Sequence, residues 1–454
     1  MTAIAQFASF IAQSSRVSDA VREAVELHVV DVIGALAAGT RTAEGQALIR
    51  YRVLSGAAKD LPLDLMTLCA LARLTEIDDI HLASMTTPGA IVIPGALAIA
   101  AAQRQHDAGI LIDATVAGYE AMIRLGLVLD GPTVLYRGIW PTYFAAPFGI
   151  AAVASRLLGL DAAQTANALA LALTYAAPGV GHHNAATTAR WISVGQAAAN
   201  GLAAARAAQA GFTADLALLD GGFFPGVYGI TPNAAALTDG LGERPGLLDL
   251  SFKPWCAARQ TMAATQALKE IMAEGVAPDG IVAIKASVVP PHLKMIGHGV
   301  TPGDRASYLT SVQYNMAVAV LAPHLADALS PPPEAVPGAV HALMAKISVE
   351  ADDALLADYP RIWPTRVIVT TASGVHERRV TSVPGDPARP FGEAEVRAKF
   401  QRFVAPILGE GGVSALLATA SAVITGDRSA ADLLTEIERG CFALSGPAPS
   451  TRPR

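Results

Sequence analysis

From the N-terminus to about residue 260 the chain is a succession of alanine-rich apolar segments, each about 10–20 residues long and separated by glycine or proline. Alanine has the highest helix propensity and the smallest side chain that still favours a helix, so such segments specify helices that pack closely. Ser18 and Asp19 read as an N-cap and first turn. Val21, Val25, Leu27, Val30, Ile33 and Leu36 then form an apolar face that ends at Gly39. Similar segments predict helices over Leu65–Leu74, Ile91–Gln103, Asp113–Leu127, Phe148–Leu158, Ala162–Tyr175, Gly195–Ala210 and Thr261–Ala273. No fixed period relates them, which argues against a solenoid.

The pattern changes after about Gly280. Ile281–Val289 is rich in isoleucine and valine, Ile347–Ala351 alternates, and Arg366–Thr371 leads through a turn at Ala372–Gly374 into Val375–Thr381, a hairpin signature. Prolines mark loops at Pro331–Pro333, Pro384, Pro387 and Pro390. Helical periodicity returns at Glu393–Leu408, Ser414–Ala422 and Ala430–Gly440. The expected architecture is therefore mostly α with an inserted α+β domain. Residues 1–260 form the first part of a large helical domain, 261–392 the smaller insert, and 393–454 the returning helical segment. At 454 residues the chain exceeds what one core usually supports. A cleft between two such domains is where a small ligand is expected.

Composition narrows the function. Apolar residues are 52 % and charged residues 16 %, which excludes intrinsic disorder, and a net charge of −6 leaves no basic surface for nucleic acid. So little charge also points to a large buried interface. The three cysteines, Cys69, Cys256 and Cys441, are too dispersed for a zinc site or disulfide framework, so a reducing, cytoplasmic setting is expected. No positive charge precedes the apolar Ala3–Ala12 stretch, so no secretory signal is expected. The uncharged tract Leu82–Gln103 is broken by Pro88, Gly89, Pro94 and Gly95 and reads as a loop and core helix rather than a membrane span.

Five stretches carry candidate chemistry. Glu76-Ile-Asp-Asp-Ile-His81 concentrates three acids and a histidine, either as acid–base groups or as solvated charges at a helix end. It lacks the further ligand a helical turn away that a metal would need, so no metal is expected. Tyr136 to Tyr143, with Trp140, is an aromatic segment around a cation or simply a packed loop. Around His182-His183-Asn184, the later Arg190 lies in an apolar context where a guanidinium seeks a carboxylate. Lys253 and Arg259 sit where the helical pattern gives way to the insert; a desolvated lysine beside another cation can act as a base, and its alternative is ordinary snorkelling. Tyr314 opens an apolar helix as either core or a phenolic acid.

In this order, these stretches resemble the MmgE/PrpD family. The resemblance runs from Leu27-His-Val-Val-Asp-Val-Ile-Gly-Ala-Leu-Ala-Ala-Gly39 through Gly118-Tyr-Glu, Pro147-Phe-Gly, Leu158-Gly-Leu-Asp, Phe252-Lys-Pro-Trp and Gln313-Tyr to Tyr359-Pro-Arg-Ile-Trp-Pro-Thr-Arg-Val367. It implies a two-domain fold, a homodimer, no cofactor, and 2-methylcitrate dehydratase, cis-aconitate decarboxylase or iminodisuccinate epimerase chemistry. It also implies that two histidines usual in the family fall on Thr87 and Trp140 here, and a family lysine on Arg190, while Asp78, Asp79, His81, Lys253 and Tyr314 are kept. Without those histidines, leaving-group protonation lacks its usual acid. The expected activity is thus epimerisation of a small polycarboxylate, most simply iminodisuccinate. Lys253 and Tyr314 would be bases on opposite faces, Arg190 and Arg259 would grip carboxylates, and Asp78, His81, Thr87, Trp140, Tyr143 and His298 would shape the pocket. A lyase is the second expectation, with His182, His183, His292 or His298 as stand-in acids; an inactive dimeric binding protein is the third.

Overall fold

The structure is a computed structural model that describes residues 1–13, 17–56, 60–177, 179, 187–327 and 336–443. It is mostly helical with one four-stranded sheet. Two large buried clusters organise it. The larger takes its side chains from residues 3–252 and 396–441, with Trp363 joining them; the smaller takes its own from residues 255–383.

In the larger cluster the helices Asp19–Gly39, Leu61–Arg73, Gly89–Gln103, Ala108–Val128, Pro141–Leu157 and Ala189–Gln209 pack side by side. Ser18 caps the first of them, accepting from the Val21 amide. Small residues set how closely the helices approach. A Cβ at position 39 would collide with the Leu71 carbonyl, and one at position 195 with the Met66 carbonyl, so the alanine and glycine content reflects backbone-to-backbone packing. The helix Ala3–Ala12, unassigned by periodicity, buries Ile4, Phe7 and Ile11 and is tied by Ala3 N donating to Asp220 at 3.2 Å.

The two helical patterns expected at Glu393–Leu408 and Ser414–Ala422 run together as Glu393–Thr425, interrupted at Gly409 (φ 67°, ψ 172°). By length and composition this helix could cross a bilayer, and 28 % of its apolar window is buried. Its Val396, Phe400 and Val404 pack into the larger core against Asp19–Gly39.

The sheet comprises β1 (Ile281–Val288), β2 (Ile347–Ala351), β3 (Thr365–Thr371) and β4 (Gly374–Val380), in the order β2-β1-β3-β4. β1 runs parallel to β2 and antiparallel to β3; β3 and β4 form the expected hairpin. Val367 and Val369 of β3 are buried on one face, registered opposite Ala286 and Ile284, and the helix Arg259–Ala273 lies against β3 and β4.

The two clusters are joined by polar links. Phe252 N donates to Gly385 O at 2.9 Å, and Arg305 Nε lies 3.3 Å from Glu44 Oε2. Partly buried charge paired in this way fixes the orientation of the segments that carry it.

Candidate active site

The loop after the helix Leu61–Arg73 is brought to the segment 251–253 by a two-residue antiparallel bridge. Ile80 N donates to Ser251 O at 2.9 Å and Ser251 N to Ile80 O at 2.8 Å. This bridge sets Lys253 between two carboxylates: its Nζ lies 3.0 Å from Glu76 Oε2 and 3.1 Å from Asp78 Oδ1. Arg73 completes the set, with Nη2 2.8 Å from Glu76 Oε1 and Nη1 3.2 Å from Asp78 Oδ1. Lys253 is 1 % exposed and Asp78 fully buried, so two basic and two acidic side chains share one largely buried site. Burial alone would raise both acids. At Glu76 the Arg73 and Lys253 charges prevail and hold it down to about 2; at Asp78 burial prevails and its carboxyl lies above the usual range. Asp78 Oδ2 has no partner among the described residues.

Asp79 points elsewhere. Its Oδ1 accepts from Gly89 N at 2.8 Å at the start of the helix Gly89–Gln103, and its Oδ2 accepts from Tyr119 OH at 3.0 Å and lies 2.9 Å from His28 Nδ1. The His28 ring stacks on Phe252, the neighbour of Lys253, with centroids 4.4 Å apart. Asp79 therefore anchors both the loop carrying Thr87 and the ground beneath Lys253.

Arg73, Glu76, Thr87, Trp140, Lys253 and Arg259 line a small inner cavity of about 40 Å³. Trp140 and Met295 also belong to the wall of an outer cavity of about 350 Å³, which continues to Arg190, His298 and Thr310. The two cavities share Trp140 and Met295 as a common wall and are lined by residues of both the helical body and the sheet-bearing body. The Arg190 guanidinium lies over the Trp140 ring at 5.3 Å. Arg259 stands over Trp363 at 5.7 Å, and its Nε and Nη1 have no partner among the described residues. The Thr87 hydroxyl lies 3.1 Å from that of Thr142.

The cleft thus brings together Lys253, Arg259, Arg190, Thr87, Trp140 and His298, with Asp78 behind Lys253. Tyr143 is buried at its edge, its ring 5.6 Å from Trp140, and burial raises its phenol. Two of the expected residues lie elsewhere. Tyr314 lines neither cavity: it is buried in the smaller core, edge-on to Tyr308 at 4.9 Å, and burial with Tyr308 pushes its phenol up to about 12. It is thus a protonated phenol at neutral pH. His81 faces a different cavity. Of the stand-in acids, His182 and His183 lie outside the described residues. His292 is packed edge-on to Trp363 at 4.8 Å, and burial and then Arg259 push it down to about 3, so it carries no proton to give at neutral pH. His298 turns Nδ1 to Gly299 O at 2.6 Å and Nε2 to Met295 O at 2.9 Å. Among the described residues no group of three or more His, Cys, Asp or Glu side chains is arranged to hold a metal. Arg73 escaped the sequence reading, although it is the only arginine or lysine from Asp60 to Gln103, a signal that its charge is matched locally.

Comparison with known families decides the identity at the coarse level. The MmgE/PrpD N-terminal domain matches residues 3–232 and the MmgE/PrpD C-terminal domain residues 255–422. The chain belongs to the MmgE/PrpD family. Membership supports an enzyme of dehydratase, lyase or isomerase type acting on a small carboxylic acid. No curated protein matches the chain. In this MmgE/PrpD protein both family domains line the cavities: Arg73, Thr87 and Arg190 lie in the first, Arg259 and His298 in the second, and Lys253 between the two matched ranges.

The buried histidines have a stability consequence. Burial holds His81 down to about 4 and His292 to about 3, against 6.5 for a free imidazole. Between pH 6.5 and 4 the unfolded chain therefore binds more protons than the folded one, and stability falls as pH drops through that window. Thermal melts from pH 7 to 4 are expected to show a falling midpoint, and His292→Phe is expected to reduce the slope.

Proposed function

We propose that this enzyme is a cofactor-independent isomerase that removes and returns the proton α to a carboxylate of a small polycarboxylate, with epimerisation of iminodisuccinate as its reaction. The observation that carries this reading is the lining of the inner cavity, which among the described residues offers an amine, two guanidinium groups and the Glu76 carboxylate, and no imidazole. Guanidinium groups suit carboxylates and the enediolate charge that develops when the α-proton leaves. Lys253 is the proton carrier. The Asp78 carboxyl, which burial raises above its usual range, lies 3.1 Å from Lys253 Nζ and is the group placed to take the ammonium proton and free the amine for the substrate. The amine takes the α-proton, Arg73 and Arg259 hold the enediolate, and after the planar intermediate presents its other face the ammonium delivers one of its three protons, two of which come from solvent. This one-base form replaces the lysine–tyrosine pair expected from sequence, because Tyr314 lies in the smaller core. The reading retains the homodimer implied by the family resemblance and the cytoplasmic setting expected from the dispersed cysteines.

Arg190, in the outer cavity beyond Trp140, is assigned to a distal carboxylate. A group that binds ground and transition states alike affects KM rather than kcat. Arg190→Met is expected to raise KM about 10–100-fold and leave kcat within about threefold, measured by steady-state kinetics.

The test is incubation of a single stereoisomer of iminodisuccinate with the full chain. The expected outcome is loss of optical activity at constant composition. An unsaturated product or release of CO2 would establish the lyase instead, and tight binding without any conversion would establish a binding protein.

A further inference from the structure

The segment from His81 to Thr86 is a closed turn with two working sides. His81 N donates to Thr86 O at 2.9 Å, and the Ser84 and Thr86 hydroxyls lie 2.7 Å apart. On one side Ile80, Met85 and Thr87 line the inner cavity of the active site. On the other, His81, Leu82 and Ala83 line a separate cavity of about 470 Å³, whose far walls include Ile362, Pro387 and Ala388.

His81 is 8 % exposed, and its ring is set by the turn: Ser84 N donates to Nδ1 at 3.2 Å and Ser84 Oγ lies 2.9 Å from the same atom. A ring whose Nδ1 accepts carries its proton on Nε2. That edge has no partner among the described residues and is left to the cavity. The ionic groups on the cavity wall are already matched: Asp249 by Arg244, Asp386 by Arg259, and Arg361 by Asp358. Besides these ion pairs the wall offers the neutral His81 donor, the Thr381 and Ser382 hydroxyls and the second carboxylate oxygen of Asp386, set among apolar surfaces, the usual composition of a small-molecule pocket.

We propose that this cavity is a second ligand site, separate from the substrate cleft, which takes an uncharged molecule whose carbonyl oxygen accepts from His81 Nε2 and whose compact apolar body rests against Leu82, Ala83, Ile362 and Pro387. Burial keeps His81 near 4 and hence neutral at physiological pH, which suits a neutral acceptor better than an anion.

The probe is cyclohexanone, titrated into the full chain with ¹⁵N-labelled histidine while the ring resonances are followed. The expected result is a saturable shift of the His81 ring nitrogens, with cyclohexanecarboxylate binding more weakly. His81→Phe is expected to weaken cyclohexanone binding about tenfold, the upper end of one neutral hydrogen bond. Because a buried substitution can impair folding, Ala388→Trp is the second variant: residue 388 is exposed and on the cavity wall, and a tryptophan there is expected to abolish the shift by filling the space. An unmoved His81 resonance, an equal shift in Ala388→Trp, or tighter binding of the carboxylate would overturn the proposal.

Discussion

Replacing Lys253 with methionine is expected to lower kcat about 10³-fold, within the range that a positioned acid–base group contributes. The Lys253 amine lies 3.0 Å from Glu76 and 3.1 Å from Asp78 and opens on the inner cavity. The substitution removes the proton carrier and also one of two cations facing two buried acids, so some loss of stability accompanies it. Lys253→Arg separates the two effects. A guanidinium keeps the positive charge beside Glu76 and Asp78 but does not deprotonate, so the fold is expected to be retained and kcat to stay near the methionine value. Kinetics and thermal melts on the two variants together make the distinction. Recovery of most activity in Lys253→Arg would reduce Lys253 to a fixed charge.

The second large effect is expected at a residue that lines no cavity. Asp79 is fully buried and receives the Gly89 amide, the Tyr119 hydroxyl and the His28 ring. Asp79→Ala strands all three. Each unsatisfied buried group costs about 1–3 kcal/mol, so a total loss of about 3–5 kcal/mol is expected, measured by denaturant unfolding. Asp79→Asn keeps one acceptor oxygen and is expected to fall between. The same change reaches the chemistry indirectly, because His28 stacks under Phe252 and Gly89 ends the loop that presents Thr87.

Much of this architecture was legible because it is local. The Ser18 cap, the glycine ending at Gly39, and the β3–β4 hairpin depend on residues within a few positions of one another. The break between Glu393–Leu408 and Ser414–Ala422 was legible as two helices. The structure separates them at Gly409, whose φ of 67° and ψ of 172° are not helical and which glycine adopts without strain. The functional site was less legible for a physical reason. Lys253 meets Asp78 only through the bridge between Ile80 and Ser251, 171 residues apart, and no spacing rule encodes such a pairing. The family resemblance placed Tyr314 and His81 with Lys253. The side of the helix that Tyr314 presents to the smaller core, and the turn that faces His81 away from the inner cavity, are decided by packing. Arg73 escaped the sequence reading for the same reason: its isolation in an apolar helix is a local signal, but its partners Glu76 and Asp78 meet it only with the loop folded back on it.

The most direct measurement of the central claim is the fate of the α-proton. One stereoisomer of iminodisuccinate is incubated in D2O with the wild-type chain and with Lys253→Met, and the methine signal is followed by proton NMR. The account predicts that the wild type replaces the α-hydrogen with deuterium as the opposite configuration accumulates, and that the variant does neither at a comparable rate. Inversion without deuterium entering the methine position, or exchange undiminished in Lys253→Met, would contradict it.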